Sequence, residues 1–229
     1  MLRLYKNIRY FLVRRWGNSS FLYYFFRLFP SMEELIIDKD TQICIEGFPR
    51  SANSFLTLFF SHWNPEVKTA HHLHLPFQVK IAAENNIPTV VIIRKPLDAI
   101  VSLIIRENFL YTWVAIKTYI LFYEMIEEHL DRLVLTSFED AISRPDSVIE
   151  KINNKFNKSF NSGFLDKQIN KHLFNVIDDV NSITGKTETA VSRPSKVKEI
   201  LKKDMAEKVI KHRLYDRALK LYNTFNKYE

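Results

Sequence analysis

A short basic turn, Pro49-Arg50-Ser51-Ala52-Asn53-Ser54, stands between an apolar run and a segment with helical spacing. Residues 43–45 are typical of a buried strand, and the apolar residues of 55–63 recur at the period of a helix. A tight turn of this kind directs backbone N–H groups to one point at the positive end of a helix, where phosphate binds. Arg50 adds a permanent cation. The turn therefore predicts a site for a phosphorylated ligand.

A second basic turn has the same context. Arg94 follows the continuous β-branched run 89–93, and Ser102 lies about two turns into a helix predicted to begin at Pro96. Because a guanidinium offers a planar fork of donors, Arg94 and Ser102 can share one phosphate. The alternative is that Arg94 pairs with a surface carboxylate. Together the two turns indicate an enzyme that handles a phosphorylated nucleotide.

Three histidines, His71, His72 and His74, lie between the two turns. A neutral imidazole near pH 7 can take a proton from a reacting hydroxyl, and we expect His74 to do so, with His71 or His72 as alternatives. On an extended segment His72 and His74 would share a face, as metal ligands can, but no Cys or acidic residue nearby completes a ligand set. A structural role is a further alternative.

Neither turn is a Walker A loop, which requires Gly, four residues and then Gly-Lys-Ser/Thr. Gly185-Lys186-Thr187 resembles the end of such a loop, but Val180 stands where the first Gly is needed. We interpret it as a chance match. This pattern argues against a standard Mg-ATP site, and a nucleoside or nucleotide kinase with a degenerate loop is kept as an alternative function.

The predicted elements alternate between strands and helices along the 229 residues. We predict strands at 42–46, 67–70, 89–93 and 132–136, and helices at 52–63, 77–84, from 96, at 110–128, from 145 with Ser143 as its cap, and over most of 198–226. This alternation predicts a three-layer α/β/α fold with a central, mostly parallel sheet. Ligands bind at the carboxyl ends of such strands, where both Arg50 and Arg94 lie. We expect one domain, 1–229, made of an N-terminal helical extension (1–38), a motif-bearing core (41–198) and a C-terminal helix (199–229).

The composition fits a folded protein with an anionic ligand. The formal net charge of +7 suits a nucleotide, a nucleic acid, a lipid headgroup or an acidic sugar, and general solubility is the alternative reading. The single cysteine, Cys44, lies in a predicted strand and agrees with a reducing compartment. Basic residues interrupt 1–16, so no signal peptide is predicted, and 109–126, with Lys117 at its centre, is interpreted as a buried helix. We expect a cytoplasmic protein whose basic, aromatic N-terminus can contact a membrane surface.

The two turns resemble two motifs of the sulfotransferase family. Pro49, Arg50 and Ser51 match the family's motif for a 5′-phosphosulfate, commonly Pro-Lys/Arg-Ser-Gly-Thr-Thr-Trp. The family's motif for a 3′-phosphate, Arg-x-Pro-x-Asp followed by a Ser four positions later, is matched by Arg94, Pro96, Asp98 and Ser102. Two further segments are similar to family motifs. His74-Leu75-Pro76 is similar to the segment that carries the catalytic base, and Phe138-Glu139-Asp140 to a Tyr-Glu-Asp segment. The resemblance runs from about residue 41 to 198 and implies a P-loop NTPase-like sulfotransferase fold.

The resemblance implies 3′-phosphoadenosine 5′-phosphosulfate as the donor, a hydroxyl or amine acceptor, and no metal. Arg50 would stabilise charge during transfer and His74 would be the base. The phosphosulfate would be held by Arg50 and by the backbone of Ser51, Ala52, Asn53 and Ser54. Phe55 and Phe138 would contact adenine, and Arg94, Ser102 and Arg193 would bind the 3′-phosphate. The acceptor would be a small molecule, a lipid or a carbohydrate, and a nucleic-acid partner is not expected.

The chain departs from the family's pattern at several positions. Ala52 replaces Gly, Asn53 and Ser54 replace two Thr, and Phe138 replaces Tyr and lacks its hydroxyl. The Arg-Lys-Gly signature expected near Arg193 is absent. A non-catalytic basic module that binds nucleic acid or a membrane is therefore kept as a second alternative function.

Overall fold

The computed structural model describes residues 1–16, 19–26, 29, 32, 35–183 and 196–229. Its strands are β1 (Ile43–Gly47), β2 (Thr69–His71), β3 (Thr89–Ile93) and β4 (Val134–Ser137). Its helices are α1 (Leu2–Trp16), α2 (Ser20–Phe26), α3 (Asn53–Trp63), α4 (Pro76–Glu84), α5 (Pro96–Arg106), α6 (Thr112–Glu124), α7 (Phe138–Ser143), α8 (Pro145–Phe156), α9 (Lys167–Ile183), α10 (Lys196–Ile210) and α11 (Tyr215–Phe225), with a 3₁₀ helix at Glu127–Arg132.

The four strands form one parallel sheet in the order β2-β1-β3-β4. Every residue of β1 and β3 is buried, as the continuous apolar and β-branched runs predict for strands that are covered on both faces. The parallel α/β class predicted from the alternation of elements is confirmed.

Helices pack on both faces of the sheet. On one face, Val91 and Ile93 join side chains of α4, α5, α6, α10 and α11 in what we call the first core. On the other face, Val90 and Ile92 join side chains of α3, α7, α8 and α9 in the second core. Because side chains alternate along a strand, β3 contributes to both cores. This arrangement is compatible with a three-layer α/β/α fold.

The winding of the chain reverses between β1 and β3. The chain leaves β1 into α3, which belongs to the second core, and leaves β3 into α5, which belongs to the first core. These strands are neighbours, with Gly47 paired to Ile92. Two loops that leave adjacent strand ends toward opposite faces open a crevice between them, and this is where open parallel sheets bind ligands.

Several predicted boundaries differ from the structure. The strand predicted at 67–70 forms two residues later, as β2. Ser143 does not cap the helix that begins at Pro145, because it ends α7 and its hydroxyl donates to the Glu139 carbonyl at 2.6 Å. The predicted helix 110–128 ends as an α-helix at Glu124 and continues as the 3₁₀ helix.

The C-terminal segment predicted as one helix consists of two, α10 and α11. They are separated at 211–214, where the Leu214 N–H donates to His212 Nδ1 at 3.2 Å. A local side-chain acceptor of this kind competes with the helical hydrogen bond and lets the chain turn. Both helices return to the first core through Val209, Leu221 and Phe225.

The N-terminal helix α1 is fixed to the body of the protein through Asn7. This buried side chain donates from Nδ2 to the Phe109 carbonyl at 2.7 Å and accepts from the Tyr111 N–H at 2.7 Å. Arg3 Nε also donates to the Phe109 carbonyl at 2.9 Å. Tyr10 and Phe11 pack against the first core beside this contact. In the described ranges, none of the helices has both the length and the apolar character needed to cross a membrane.

The last residue of β1, Gly47, allows β1 and β3 to approach closely beside the loop that follows. A Cβ at this position would lie 2.7 Å from the Ile92 carbonyl oxygen and 2.9 Å from Asn53 Oδ1. The first of these atoms belongs to the backbone of the neighbouring strand and cannot move away without disturbing the sheet. This close approach explains why one of the four glycines of the chain stands here.

We predict that Gly47→Ala lowers the free energy of unfolding by about 2 kcal/mol, because the added methyl group overpacks the β1–β3 contact. Urea unfolding followed by circular dichroism measures the change. Ala52→Gly, in the adjoining loop, is the control: Ala52 has a φ of 67°, which glycine adopts without strain, so its stability should stay within about 1 kcal/mol of wild type. Equal stability of Gly47→Ala and wild type would contradict the role given to this contact.

Candidate active site

The loop between β1 and α3, residues 48–52, is held in a strained backbone conformation. Arg50 and Ala52 have φ values of 72° and 67°, in the left-handed region that residues with a Cβ rarely adopt. Such conformations cost about 1–3 kcal/mol each and persist where neighbouring groups impose them. Here Asn53 Nδ2 donates to the Phe48 carbonyl at 3.1 Å, and Arg94 Nη1 donates to the Arg50 carbonyl. Arg94, which follows β3, therefore shapes the loop that follows β1.

The loop and the first turn of α3 carry backbone N–H groups that no acceptor among the described residues satisfies. The N-cap of α3 is Ala52, whose side chain cannot accept a hydrogen bond. Within the described part of the chain, no group accepts from the N–H groups of residues 50–55. Unpaired N–H groups at the positive end of a helix favour a bound anion.

Arg50 lies in a cluster of cations at this edge of the sheet. Its Nε donates to Ser102 Oγ at 3.1 Å. Burial, followed by repulsion from Arg106 and Arg94, lowers the pKa of Arg50 to about 10. Arg106 lies one turn beyond Ser102 on α5. A bound anion would relieve the repulsion among these cations, so their arrangement favours an anionic ligand.

Arg94 is positioned by aromatic side chains. Its guanidinium carbon lies 3.9 Å from the centre of the Phe138 ring, and its carbonyl accepts from the Tyr119 hydroxyl at 2.8 Å. Burial lowers the pKa of Arg94, while Asp98 and Glu139 oppose this change. Phe138 was predicted to pack on adenine, and in the structure it packs on the guanidinium of Arg94.

Ser102 contacts Arg50 and not Arg94 among the hydrogen bonds of the described residues. The sequence assigned Arg50 to the phosphosulfate and Ser102, with Arg94, to the 3′-phosphate. The structure instead joins Arg50, Ser102 and Arg94 in one continuous set of contacts. The three predicted residues are therefore brought together, without a division into two separate phosphate subsites.

His74 has a fixed tautomer. Its Nδ1 lies 2.9 Å from the Gly47 carbonyl oxygen, which can only accept, so Nδ1 carries the proton and Nε2 keeps its lone pair. The backbone of His74 is in the left-handed region, with a φ of 54°. Burial lowers the pKa of His74 to about 4, and repulsion from Arg14 and Arg106 contributes to this shift. The imidazole is therefore neutral near pH 7.

The buried carboxyl group of Glu46 holds the segment that carries His74. It accepts from the backbone N–H of Leu73 at 2.9 Å, from that of His74 at 3.1 Å and from Gln78 Nε2 at 2.9 Å. Burial raises the pKa of Glu46 to about 8, although these donated hydrogen bonds oppose the shift. Glu46 thus joins the end of β1 to the loop between β2 and α4.

The other two histidines of the cluster form a relay to the helix terminus. His72 Nε2 shares a hydrogen bond with Ser54 Oγ at 2.8 Å, and His72 Nδ1 lies 2.7 Å from His71 Nδ1. His72 also has a positive φ, of 58°. The Ser54 hydroxyl, predicted to contact the phosphosulfate, is engaged by His72 in this structure.

A small cavity beside His74 is lined in part by Arg14 of α1. It is lined by Arg14, Phe48, Pro49, His74, Pro76, Thr118, Leu121 and Phe122. The Arg14 guanidinium carbon lies 3.6 Å from the centre of the Tyr10 ring, and burial lowers the pKa of Arg14. The cavity therefore has aromatic and aliphatic walls, with one cation and one neutral imidazole.

Some of the predicted contacts do not fit the structure. Phe55 was expected to stack on adenine, but its side chain is 3% exposed and packs against Phe174 in the second core. The Ser51 side chain is fully buried and the Asn53 amide is used within the loop, so at these two positions the predicted contact with the phosphosulfate depends on the backbone N–H groups. Arg193, expected to cover the 3′-phosphate, lies outside the described residues.

Three residues of the site were not identified from the sequence. Arg106 follows Ser102 by four positions, a spacing that places both residues on one side of α5. This spacing is a signal from which Arg106 could have been predicted as a residue of the site. Glu46 is a carboxylate directly after a buried apolar run, which is itself a signal. Arg14 has no comparable signal, because only the packing of α1 on the body brings it near His74.

The chain matches no protein-family model, and none of the curated proteins with which it was compared is similar to it. No group of three or more His, Cys, Asp or Glu side chains among the described residues is arranged to hold a metal ion. A function for this site has to be inferred from its own geometry and chemistry.

We predict that the stability of the wild-type protein falls between about pH 6.5 and pH 4 relative to that of His74→Asn. In this range the unfolded chain binds a proton at His74 that the folded protein does not, because the folded pKa is lowered to about 4. Relative to its value above pH 7, the free energy of unfolding of wild type should fall by about 3 kcal/mol more than that of His74→Asn when the pH is lowered to 4. Above pH 7 the two profiles should run parallel. Asparagine keeps an N–H for the Gly47 carbonyl and tolerates a positive φ. Urea unfolding across this pH range measures it.

His172→Asn, at an exposed histidine of α9, is the control for the loss of one histidine and should follow the wild-type profile. Parallel pH profiles for wild type and His74→Asn would show that His74 is not held neutral in the folded protein.

Proposed function

We propose that this protein is a sulfotransferase that uses 3′-phosphoadenosine 5′-phosphosulfate. The observation that carries the proposal is the convergence of Arg50, Arg94 and Ser102 at the point where the winding of the sheet reverses. Arg50 and Arg94 are 44 residues apart in the sequence, yet Arg94 donates a hydrogen bond directly to the Arg50 carbonyl. Their order along the chain and their structural context resemble the two phosphate motifs of the sulfotransferase family.

The charge of the site supports a ligand with more than one anionic group. Arg50, Arg94 and Arg106 come together with the uncapped N-terminus of α3, and Arg14 lies near His74. Phosphate and sulfate oxygens accept hydrogen bonds from guanidinium forks and from backbone N–H groups. A nucleotide that carries a phosphosulfate and a further phosphate fits this density of positive charge.

The adenine part of the donor has less support. Phe55 is committed to the second core, and one face of Phe138 is covered by Arg94. The proposal therefore assigns the anionic groups of the donor to named residues and assigns no stacking partner to its base.

His74 supplies the base in the proposed reaction. The acceptor oxygen forms a bond to sulfur while the bond from sulfur to the bridging phosphate oxygen breaks, and the hydroxyl proton passes to Nε2 of His74. Nδ1–H, which donates to the Gly47 carbonyl, keeps the ring in the required tautomer. Arg50 and the N–H groups of the loop would stabilise the charge that develops on the leaving phosphate.

A base with a pKa of about 4 is weak at neutral pH. Binding of the anionic donor would raise the pKa of His74 and so strengthen the base. Arg14 and Arg106 are among the causes of the lowered pKa of His74. Negative charge bound near these cations would offset their repulsion and raise the pKa toward neutrality, where proton transfer is most effective. The base would thus be activated by the ligand that it serves.

The acceptor is expected to be a small molecule, a lipid or a carbohydrate with a hydroxyl or amine group. The cavity beside His74, walled by Phe48, Leu121 and Phe122, has a volume of only about 10 Å³, room for about one water molecule, so it is not assigned to the acceptor.

We predict that adenosine 3′,5′-bisphosphate, the product nucleotide, binds more tightly than ATP and without Mg²⁺. Isothermal titration calorimetry with each nucleotide, with and without Mg²⁺, measures this preference. Arg94→Ala and Ser102→Ala should each weaken bisphosphate binding about tenfold or more, since hydrogen bonds to charged groups contribute roughly 1.5–3 kcal/mol. Arg132→Ala is the matched control: this arginine is exposed and precedes β4, at the opposite edge of the sheet.

Two outcomes would overturn the proposal. Equal or tighter binding of Mg-ATP would favour a kinase. Unchanged bisphosphate affinity in Arg94→Ala, with the variant folded, would show that the convergence of the two turns does not form the nucleotide site.

We also predict that His74→Asn binds the bisphosphate about as tightly as wild type but transfers sulfonate about 10²–10⁴-fold more slowly. Transfer is measured with radiolabelled donor against a panel of phenol, sugar, amine and lipid acceptors. His71→Asn is the comparison variant and should retain turnover. Loss of turnover in His71→Asn, with retention in His74→Asn, would move the base to the relay of His71 and His72.

A further inference from the structure

The positive charge of this protein is concentrated at its N-terminus. Residues 1–32 contain six basic side chains, Arg3, Lys6, Arg9, Arg14, Arg15 and Arg27, and no acidic one. The other 197 residues carry 27 basic and 26 acidic side chains. Nearly all of the net charge of +7 therefore belongs to α1 and the segment that follows it, and a surface with this charge attracts an anionic partner.

The outer face of α1 is apolar as well as basic. The inner side, through Asn7, Tyr10 and Phe11, is fixed to the body of the protein. The opposite side of the helix carries Tyr5, Ile8 and Trp16, whose spacings of three and eight positions place them on one side. Their side chains are 63%, 46% and 58% exposed. The chain thus leaves large apolar side chains in solvent on a helix that is already anchored.

Exposed apolar side chains also occur after α1. Tyr24 and Phe25 of α2 and Phe29 are exposed. Single exposed apolar side chains are ordinary, but the three that share one side of α1 form a stripe, which marks an interaction site.

Basic side chains flank this apolar stripe. Arg9 and Arg15 are exposed, and on a helical projection they lie beside Trp16 and Ile8. Lys6 is exposed nearer to the anchored side, where its Nζ lies 5.7 Å from the centre of the Phe109 ring. Helices that lie in a membrane interface combine these two features: aromatic and aliphatic side chains enter the acyl boundary, and Lys or Arg binds the anionic headgroups.

We propose that the outer face of α1 binds the surface of an anionic lipid bilayer. The partner is a bilayer because the surface offers both charge and a continuous apolar stripe, whereas nucleic-acid recognition by charge alone would leave Ile8 and Trp16 in water. The fixed position of α1, set by Asn7 and Arg3, then holds the folded body against the membrane in one orientation. This inference is independent of the reaction that the site performs.

Binding of the full chain to vesicles tests the proposal. Sedimentation with vesicles of phosphatidylcholine alone, and of phosphatidylcholine with about 30 mol% phosphatidylserine, should show binding to the second kind. The triple variant Lys6→Gln, Arg9→Gln, Arg15→Gln should bind about a hundredfold more weakly, since each basic side chain near an anionic surface contributes about fivefold.

The matched control removes the same charge from the other face of the sheet. Lys158, Lys167 and Lys171 are exposed on and near α8 and α9, and their triple change to Gln should leave vesicle binding within about twofold of wild type. Ile8→Ser with Trp16→Ser should also weaken binding, and Phe164→Ser, at an exposed aromatic residue near α9, should not. Circular dichroism confirms that each variant is folded.

Three results would overturn the proposal. The first is equal binding to neutral and anionic vesicles. The second is an equal loss of vesicle affinity in the triple variant of α1 and in the triple variant of Lys158, Lys167 and Lys171. The third is binding to an oligonucleotide in place of vesicles. The calorimetric test of the nucleotide site is made without lipid, so failure of either proposal leaves the other intact.

Discussion

The reversal of winding between β1 and β3 is the constraint on which the site depends. Because β1 continues into α3 on one face of the sheet and β3 into α5 on the other, the ends of both strands remain uncovered beside each other. Gly47 permits the close approach, since any Cβ would meet the Ile92 carbonyl. Every residue proposed to act in catalysis is carried by a segment that begins or ends at this edge, apart from Arg14 of α1.

Strain and buried polar groups are concentrated in the same place. Among the described residues, the positive-φ positions other than Gly and Asn are Arg50, Ala52, His72 and His74, and all four belong to the two loops at this edge. Strained backbone needs rigid neighbours, and here these are the Glu46 carboxyl group, the Asn53 amide and the Arg94 guanidinium. A buried acidic side chain and crowded arginines both cost stability, so their presence at this edge points to a function.

The sequence predicts the fold better than it predicts the contacts within the site. Strand β3 and the start of α5 match their predicted bounds, because a β-branched run followed by proline has one local interpretation. The contact of Arg50 with Ser102 is not the predicted pairing, since Ser102 is expected beside Arg94, but the approach of the two strand ends follows from the predicted parallel sheet. The burial of Phe55 and the approach of Arg14 do not, because both depend on how helices pack in three dimensions, and short-range patterns do not encode such packing.

Arg106 is the cation that acts on both Arg50 and His74. Burial, with repulsion from Arg106 and Arg94, lowers the pKa of Arg50, and burial, with repulsion from Arg14 and Arg106, lowers the pKa of His74. Glu107 lies 3.6 Å from Arg106 Nε and already offsets part of this positive charge, and an anion bound near Arg106 would offset more of it. In the proposed reaction, binding of the anionic donor and activation of His74 would therefore be coupled through charge. The strained loops, already fixed by Glu46 and Arg94, suit such a preorganised site because its donors are in position before the ligand arrives.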